Sequence, residues 1–384
     1  MRTPVIVVAG QNGTADIARV LLEQPGTMVV EHHFDGHVVH RTTASVQRGV
    51  TVKADAVLEL RNCCLACTVR DDLLAHLCHL HRRGGVARIV VRLAPWLEPE
   101  PVCVAITHSA AARDVSLSAV ISAVDTETWL PDALGDDEHA DGRTVAQVVV
   151  GQAEFADVAV LSAPHARTLA VLRRLAPRAR ITVGTDRLEL ALAHVDPDPR
   201  RGQPQDPHAS LLRGEPPLGI ESGVGLVEFT ARRPFHPERL HDALDVLLDG
   251  VVRSRGRLWL ANRPDRVMWV ESAGGGLRLA QAGKWLAAMT TRESCYVDPE
   301  RRAMADAMWD PEHGDRHSSL AVLVCGASAE SVTTTLGDAV LTDEEMARPQ
   351  DWPGFDDPFG DWHDEPCEDA VRTSTGDEEI SAEG

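Results

Sequence analysis

Two cysteines separated by two residues, Cys64 and Cys67, form the pattern in this chain best suited to binding a transition metal. A turn brings both thiolates of a C-x-x-C pair to one tetrahedral zinc ion, and two further ligands complete such a site. Glu59 precedes the pair and His76 and His79 follow it, so these residues are candidates for the remaining ligands. Two alternatives stay open, namely a pair of thiols without metal and a redox-active dithiol.

In the first half of the chain, short apolar runs alternate with helical patterns, and these elements would position the cysteine pair. Predicted strands lie at Val5–Ala9, Met28–Val30, Arg88–Leu93, Leu117–Val124 and Val158–Leu161. Predicted helices lie at Ala15–Glu23 and Asp71–Arg83, the latter with leucines at helical spacing. Continuous apolar strands separated by helices are typical of a mostly parallel sheet covered on both faces, so an α/β domain is expected over residues 1–195.

The second half has a different pattern. Residues 196–224 are rich in Pro, Gly, Asp and Arg and are interpreted as a linker. Strand-like runs then dominate residues 225–363, with a predicted helix opened by His236-Pro237 and another over Ala329–Ala339. This clustering indicates a smaller α+β domain. Residues 364–384 are strongly acidic and are predicted to be a disordered tail.

Charge and composition exclude several classes of protein. The 384 residues carry 58 acidic and 38 basic side chains, a net charge of −20, which excludes a broadly basic nucleic-acid binder. No signal peptide or membrane segment is recognisable, and eight cysteines in a chain of this length do not describe a disulfide scaffold. A reduced, cytoplasmic protein without membrane contact is expected.

The stretch from Glu59 through Asn62, Cys64, Cys67 and Thr68 to Leu73 resembles the signature of the CobW-like metal-chaperone GTPases. Four later motifs are similar to the C-terminal domain of that family; they are Arg233–Leu240, Arg255–Ala261, Ala282–Trp285 and Trp309–Arg316. The resemblance implies a P-loop-GTPase-like sheet followed by a CobW-type C-terminal domain. It also implies zinc as the metal at Glu59, Cys64 and Cys67.

Departures from the family pattern are concentrated in the nucleotide motifs. The first loop keeps Gly10 and Gly13, but Asp16 stands where the phosphate-binding lysine belongs. Arg92 replaces a carboxylate, Pro95 replaces a glycine whose amide would contact a γ-phosphate, and His165 replaces the guanine-reading aspartate. We therefore expect a degenerate GTPase fold with no catalytic residues and no working GTP/Mg²⁺ site.

Further stretches, among them Phe34–Val39, Leu93–Pro99 and Gly151–Asp157, resemble a divergent actinobacterial branch of the family. That resemblance implies a non-catalytic adaptor that recruits a hibernation factor to the small ribosomal subunit under zinc limitation. Its partners would be that factor and ribosomal proteins, because an acidic chain is repelled by bare rRNA. Two alternatives are a GTP-dependent zinc metallochaperone and a thiol redox sensor.

Overall fold

The first half of the chain forms a twisted eight-stranded sheet. The computed structural model describes residues 2–60, 65–196, 207–212 and 214–360. The strand order is β4-β3-β2-β5-β1-β6-β7-β8. The strands are β1 (Thr3–Ala9), β2 (Thr27–Phe34), β3 (Val39–Gln47), β4 (Val50–Leu58), β5 (Arg88–Arg92), β6 (Val115–Val124), β7 (Val158–Leu161) and β8 (Arg180–Val183).

Six of these strands run parallel, whereas β3 and β4 form an antiparallel hairpin at one edge. Helices connect the parallel strands and cover both faces. They are α1 (Thr14–Leu22), α2 (Leu65–Arg83), α3 (Pro99–His108), α4 (Trp129–Leu134), α5 (Val145–Glu154), α6 (Ala166–Leu175) and α7 (Leu188–Ala193). The expected parallel sheet with flanking helices is therefore confirmed.

Alternate residues of the central strand enter two separate cores. Val5 and Val7 of β1 pack with Leu73 and Leu77 of α2 on one face. Ile6 and Val8 pack on the other face, with Ile17 of α1. Burial on both faces explains why the parallel strands read as continuous apolar runs in the sequence.

The second half forms a five-stranded antiparallel sheet in the order β12-β11-β10-β13-β9. Its strands are β9 (Val224–Ala231), β10 (Val251–Leu258), β11 (Arg266–Ala273), β12 (Gly276–Lys284) and β13 (Ser318–Cys325). Its helices are α8 (Pro237–Ala243), α9 (Thr291–Ser294), α10 (Pro299–Ala307), α11 (Ala329–Ala339) and α12 (Asp343–Met346). The predicted second α+β unit is thus a separate sheet with its own core.

The two sheets meet through α4, α5 and α6. Their apolar side chains share one core with Val224, Val252, Ala273 and Leu323 of the second sheet. A buried ion pair reinforces the contact, because a guanidinium nitrogen of Arg255 lies 2.5 Å from a carboxylate oxygen of Glu154.

The largest difference from the sequence-based expectation is the β3–β4 hairpin. No strand was predicted over either segment, and β2 extends four residues beyond the predicted Val30, to Phe34. Most residues of β3 and β4 are half-buried or exposed, so the continuous apolar run by which the other strands were predicted is missing. The proposed boundaries of linker and tail stay predictions, since residues 197–206, 213 and 361–384 lie outside the described residues.

Candidate functional site

The first loop, between β1 and α1, keeps the backbone shape of a phosphate-binding turn. Gly10 and Gly13 have φ angles of 143° and 77°, values that favour glycine. A Cβ on Gly10 would lie 2.6 Å from the carbonyl oxygen of Ala123, so the close approach of β6 also requires glycine. The loop opens α1 at the helix end that carries partial positive charge.

Charge at this loop is opposite to what phosphate binding requires. Asp16 lies in the first turn of α1, with its side chain 74% exposed and 3.4 Å from Arg19. A carboxylate there satisfies the positive end of the helix dipole that an anionic ligand would otherwise use. Lysine is absent from this loop. The expectation that this loop has no working GTP/Mg²⁺ site stays a prediction.

A hydrogen-bonded bridge ties the first loop to the loop that follows β5. The side-chain amide of Gln11 donates to the carbonyl oxygen of Pro95 at 2.7 Å. Gln152 of α5, only 1% exposed, donates to the same oxygen at 2.8 Å and to the carbonyl oxygen of Leu97 at 2.9 Å. At this point the loop after β5 presents a carbonyl group, where the family pattern has an amide donor.

Arg143 and Glu98 hold the same loop from the other side. Arg143 donates to the Glu98 carboxylate at 2.6 Å and to the carbonyl oxygen of Trp96 at 2.8 Å. A Cβ on Gly151 would lie 2.5 Å from a Glu98 oxygen, so the glycine in α5 makes room for this carboxylate. Burial raises the pKa of Glu98, an effect that Arg143 opposes.

The two other substituted nucleotide positions have structural partners. Arg92, at the end of β5, donates from Nε to the Glu31 carboxylate on the neighbouring strand at 2.6 Å. His165 caps α6: its Nδ1 accepts from the backbone amide of Thr168 at 3.3 Å. Each side chain supports local structure where the family pattern would place a ligand-binding group.

Of the three predicted metal ligands, the structure describes Glu59 and Cys67. Glu59 is exposed just beyond β4, and Cys67 is half-buried in the first turn of α2, while Cys64 lies outside the described residues. Among the residues that the structure describes, no group of three or more His, Cys, Asp or Glu side chains is arranged to hold a metal ion. The metal-site prediction at Glu59, Cys64 and Cys67 therefore stays a prediction.

The expectation that His76 or His79 completes this site is wrong. Both lie on α2, nine and twelve residues beyond Cys67. At about 1.5 Å of rise per residue they stand roughly 13 and 18 Å further along the helix axis, too far to share one tetrahedral ion with Cys67. His76 instead contacts Thr43 of β3 at 2.9 Å, and burial lowers its pKa to about 4.

A polar network that the sequence did not suggest joins α2 to the hairpin. Asp72 accepts hydrogen bonds from His32 at 2.8 Å and from Arg41 at 2.6 Å. Burial alone would raise the pKa of Asp72, but these two partners lower it. Asp72 belongs to the signature stretch, so the motif gave a signal for it, whereas Arg41 lies on a strand that was not predicted.

A cavity of about 400 Å³ lies between the two halves, away from the first loop and from Cys67. Its lining includes Arg253 and Arg255 beside Trp269. Arg253 lies 3.3 Å from Glu154 and 3.4 Å from Glu271, so its charge is compensated within the protein. The described residues contain no helix long and apolar enough to cross a membrane.

Comparison with known proteins supports one family over most of the chain. Residues 29–177 match the model "CobW/HypB/UreG, nucleotide-binding domain", and residues 224–340 match "Cobalamin synthesis protein cobW C-terminal domain". "Zinc chaperone Rv0106" of Mycobacterium tuberculosis is 60% identical over 378 residues, covering 96% of this chain and 95% of that protein.

More distant proteins are similar over nearly the same span. "Zinc-regulated GTPase metalloprotein activator 1" of Dictyostelium discoideum is 25% identical over 363 residues, covering 86% of this chain and 74% of that protein. Zinc-bound YjiA GTPase from E. coli is 15% identical with a TM-score of 0.37, covering 89% of this chain and 100% of that chain. Two matching domain models and a 60% identical relative of nearly equal length show that the chain belongs to the CobW family.

Proposed function

We propose that this CobW-family protein is a zinc metallochaperone that binds zinc as cargo and passes it to a client protein. The observation that carries the proposal is the 60% identity, over 96% of the chain, to a relative named a zinc chaperone. Comparison with known proteins thus favours the zinc-chaperone alternative over the ribosome-adaptor hypothesis. Two of the candidate ligands can be reached from solvent, because Glu59 is exposed just beyond β4 and Cys67 is half-buried in the first turn of α2.

A ligand set built from Cys64, Cys67 and Glu59 suits a carrier. Structural zinc sites are closed by four protein ligands, whereas three leave one position open for a ligand from the client. Thiolate ligands release protons when they bind zinc, so the affinity of the carrier for zinc falls as the pH drops. Transfer then requires only that client ligands replace these side chains.

We further propose that zinc transfer by this chain proceeds without GTP hydrolysis. Asp16 sits where a cationic side chain would meet the phosphates, and unlike a lysine it repels them, by about 1 kcal/mol per unit charge at 4 Å even in water. Gln11 and Gln152 both donate to the Pro95 carbonyl oxygen. In the family pattern this position has a glycine whose amide would contact a γ-phosphate, whereas proline has no amide hydrogen. Both features support a protein that keeps the fold of a GTPase but acts through its surface instead of through GTP hydrolysis.

Zinc titration of the reduced full chain tests the first proposal. We expect about one equivalent of tightly bound zinc, lost in Cys67→Ser and in Cys64→Ser. Cys295→Ser is the matched control, because Cys295 is an exposed cysteine at the C-terminal end of α9, in the second half of the chain. Unchanged zinc binding in Cys67→Ser would contradict the assigned ligands.

A nucleotide assay tests the second proposal. We expect no GTP hydrolysis above background with Mg²⁺, with or without zinc. Turnover that Asp16→Arg abolishes would show that the altered loop still works. Gly337→Ala, at an exposed position of α11 with open space around its Cβ, provides a folded control.

The adaptor hypothesis is a second proposal that rests on the same altered first loop. A chain that keeps both sheets and lacks phosphate-binding groups is suited to act through its surface. Co-sedimentation with ribosomes from zinc-starved cells, compared with zinc-replete cells, is its test. Absence of the chain from the small-subunit fraction under zinc starvation would remove this hypothesis and leave the zinc-carrier proposal unaffected.

A further inference from the structure

The outer edge of the first sheet is an exposed strand nine residues long. β4 lies at the end of the strand order, and within the described part of the chain no strand pairs with its outer side. It pairs with β3 along its whole length without a bulge. Val50, Val52 and Val57 are 64%, 42% and 63% exposed. Long exposed edges of this kind readily accept another strand.

The hairpin turn determines which backbone groups point outward. Arg48 and Gly49 have φ angles of 52° and 80°, as in a two-residue type I′ turn. In such a hairpin Gln47 and Val50 exchange hydrogen bonds, and the pattern alternates along the strand. The even-numbered residues of β4 therefore bond to β3. The amide and carbonyl groups of the odd-numbered residues 51, 53, 55 and 57 point away from the sheet.

We propose that this edge pairs, antiparallel, with β4 of a second copy of the chain about a two-fold axis at Ala54. In that register Lys53 of each copy lies opposite Asp55 of the other, so two ion pairs form across the axis. The four outward residues of each copy exchange about eight main-chain hydrogen bonds. The result is one continuous sheet through both copies.

Side chains on both faces of β4 are complementary in this register. On one face Val50 meets Leu58, Val52 meets Ala56, and the small Ala54 meets its own copy at the axis without crowding. On the other face, Lys53 and Asp55 sit between Thr51 and Val57. Cross-strand pairs of β-branched, apolar and oppositely charged residues stabilise antiparallel strands.

Neighbouring registers are disfavoured by charge. An axis at residue 53 would place Lys53 against Lys53, and an axis at residue 55 would place Asp55 against Asp55. The carboxylate of Asp55 is already oriented by the Thr42 hydroxyl, which donates to one of its oxygens at 2.7 Å. Within the described part of the chain the second oxygen has no hydrogen-bond donor, so the lysine of the second copy can approach it. The strand is thus self-complementary only about Ala54 among these registers.

Sedimentation equilibrium of the full chain, from micromolar to millimolar concentration, tests the proposal. The net charge of −20 on each copy is screened beyond about 8 Å at physiological salt, where the experiment is run. We expect a reversible dimer of twice the 41.6 kDa chain mass. A chain that stays monomeric throughout this range would overturn the proposal.

Charge exchange distinguishes this interface from any other. We expect Lys53→Asp alone and Asp55→Lys alone each to raise the dimer Kd roughly tenfold or more, because each acts twice across the axis. The double variant restores both pairs, so its Kd should return to within about threefold of the original. Arg83→Asp, at the exposed end of α2, changes net charge as Lys53→Asp does and should leave the Kd unchanged.

Hydrogen exchange reports the register directly. In the dimer the amides of Thr51, Lys53, Asp55 and Val57 become protected, whereas those of Val52 and Ala54 are protected in monomer and dimer alike. A dimer whose odd-numbered amides exchange rapidly, or whose Kd does not respond to the charge exchange, uses another surface and refutes the proposal.

Discussion

Replacing Gln152 with methionine tests the bridge between the first loop and the loop after β5. Methionine has a similar length and an apolar end, so the substitution removes the hydrogen bonds and largely retains the packing. Gln152 is 1% exposed and donates to the carbonyl oxygens of Pro95 and Leu97, at 2.8 and 2.9 Å. We expect Gln152→Met to lower the free energy of unfolding by about 2–4 kcal/mol.

That magnitude comes from treating the two carbonyl groups separately. The Pro95 oxygen keeps Gln11 as a donor at 2.7 Å, so it loses one of two bonds, worth about 1 kcal/mol. The buried Leu97 carbonyl loses its side-chain donor, and an unsatisfied buried acceptor costs about 1–3 kcal/mol. Gln11→Ala should cost about 1 kcal/mol, since Pro95 then keeps Gln152.

Urea unfolding followed by circular dichroism measures these differences. Gln281→Met, at an exposed position of β12, is the matched control and should change stability by less than about 0.5 kcal/mol. A Gln152→Met protein as stable as the control would show that the bridge contributes nothing. Equal effects of Gln152→Met and Gln11→Ala would refute the separate treatment of Leu97.

The remaining predictions concern the second sheet. Burial lowers the pKa of His317 to about 4. As the pH falls, this side chain therefore becomes protonated near pH 6.5 in the unfolded chain but only near pH 4 in the folded chain. Stability in urea titrations should therefore fall as the pH drops from about 6.5 to 4, and His317 should contribute about 2 kcal/mol of this loss between pH 7 and pH 5; His317→Asn should remove that share and leave the similar share of His76. A Cβ on Gly256 of β10 would lie 2.1 Å from the Ser319 carbonyl oxygen, so Gly256→Ala should cost about 2–3 kcal/mol in the same assay, and an unchanged stability would contradict this.

Local sequence patterns determined most elements of both sheets. The helix at Ala329–Ala339 has the predicted bounds, and the apolar run Val158–Leu161 is a strand of that length. Such segments bury one face of a helix or both faces of a strand. Burial of one helical face requires apolar residues at helical spacing, and burial of both strand faces requires a continuous apolar run, so both can be recognised in the sequence. The signature around Cys67 likewise identified the family, because its spacing is short and local.

Only the tertiary structure decided what lies beside each site residue. The β3–β4 hairpin escaped prediction because neither strand is a continuous apolar run: β3 is largely polar, and β4 alternates apolar residues with Thr51, Lys53 and Asp55 at a solvent-exposed edge. Gln152 reaches Gln11 across 141 residues of sequence, a separation over which no local pattern acts. The helix length of α2 likewise excluded His76 as a partner of Cys67. The alternation of buried and exposed residues within one element can be read from its local sequence. Contacts between distant side chains depend instead on strand order and crossovers, which no single segment encodes.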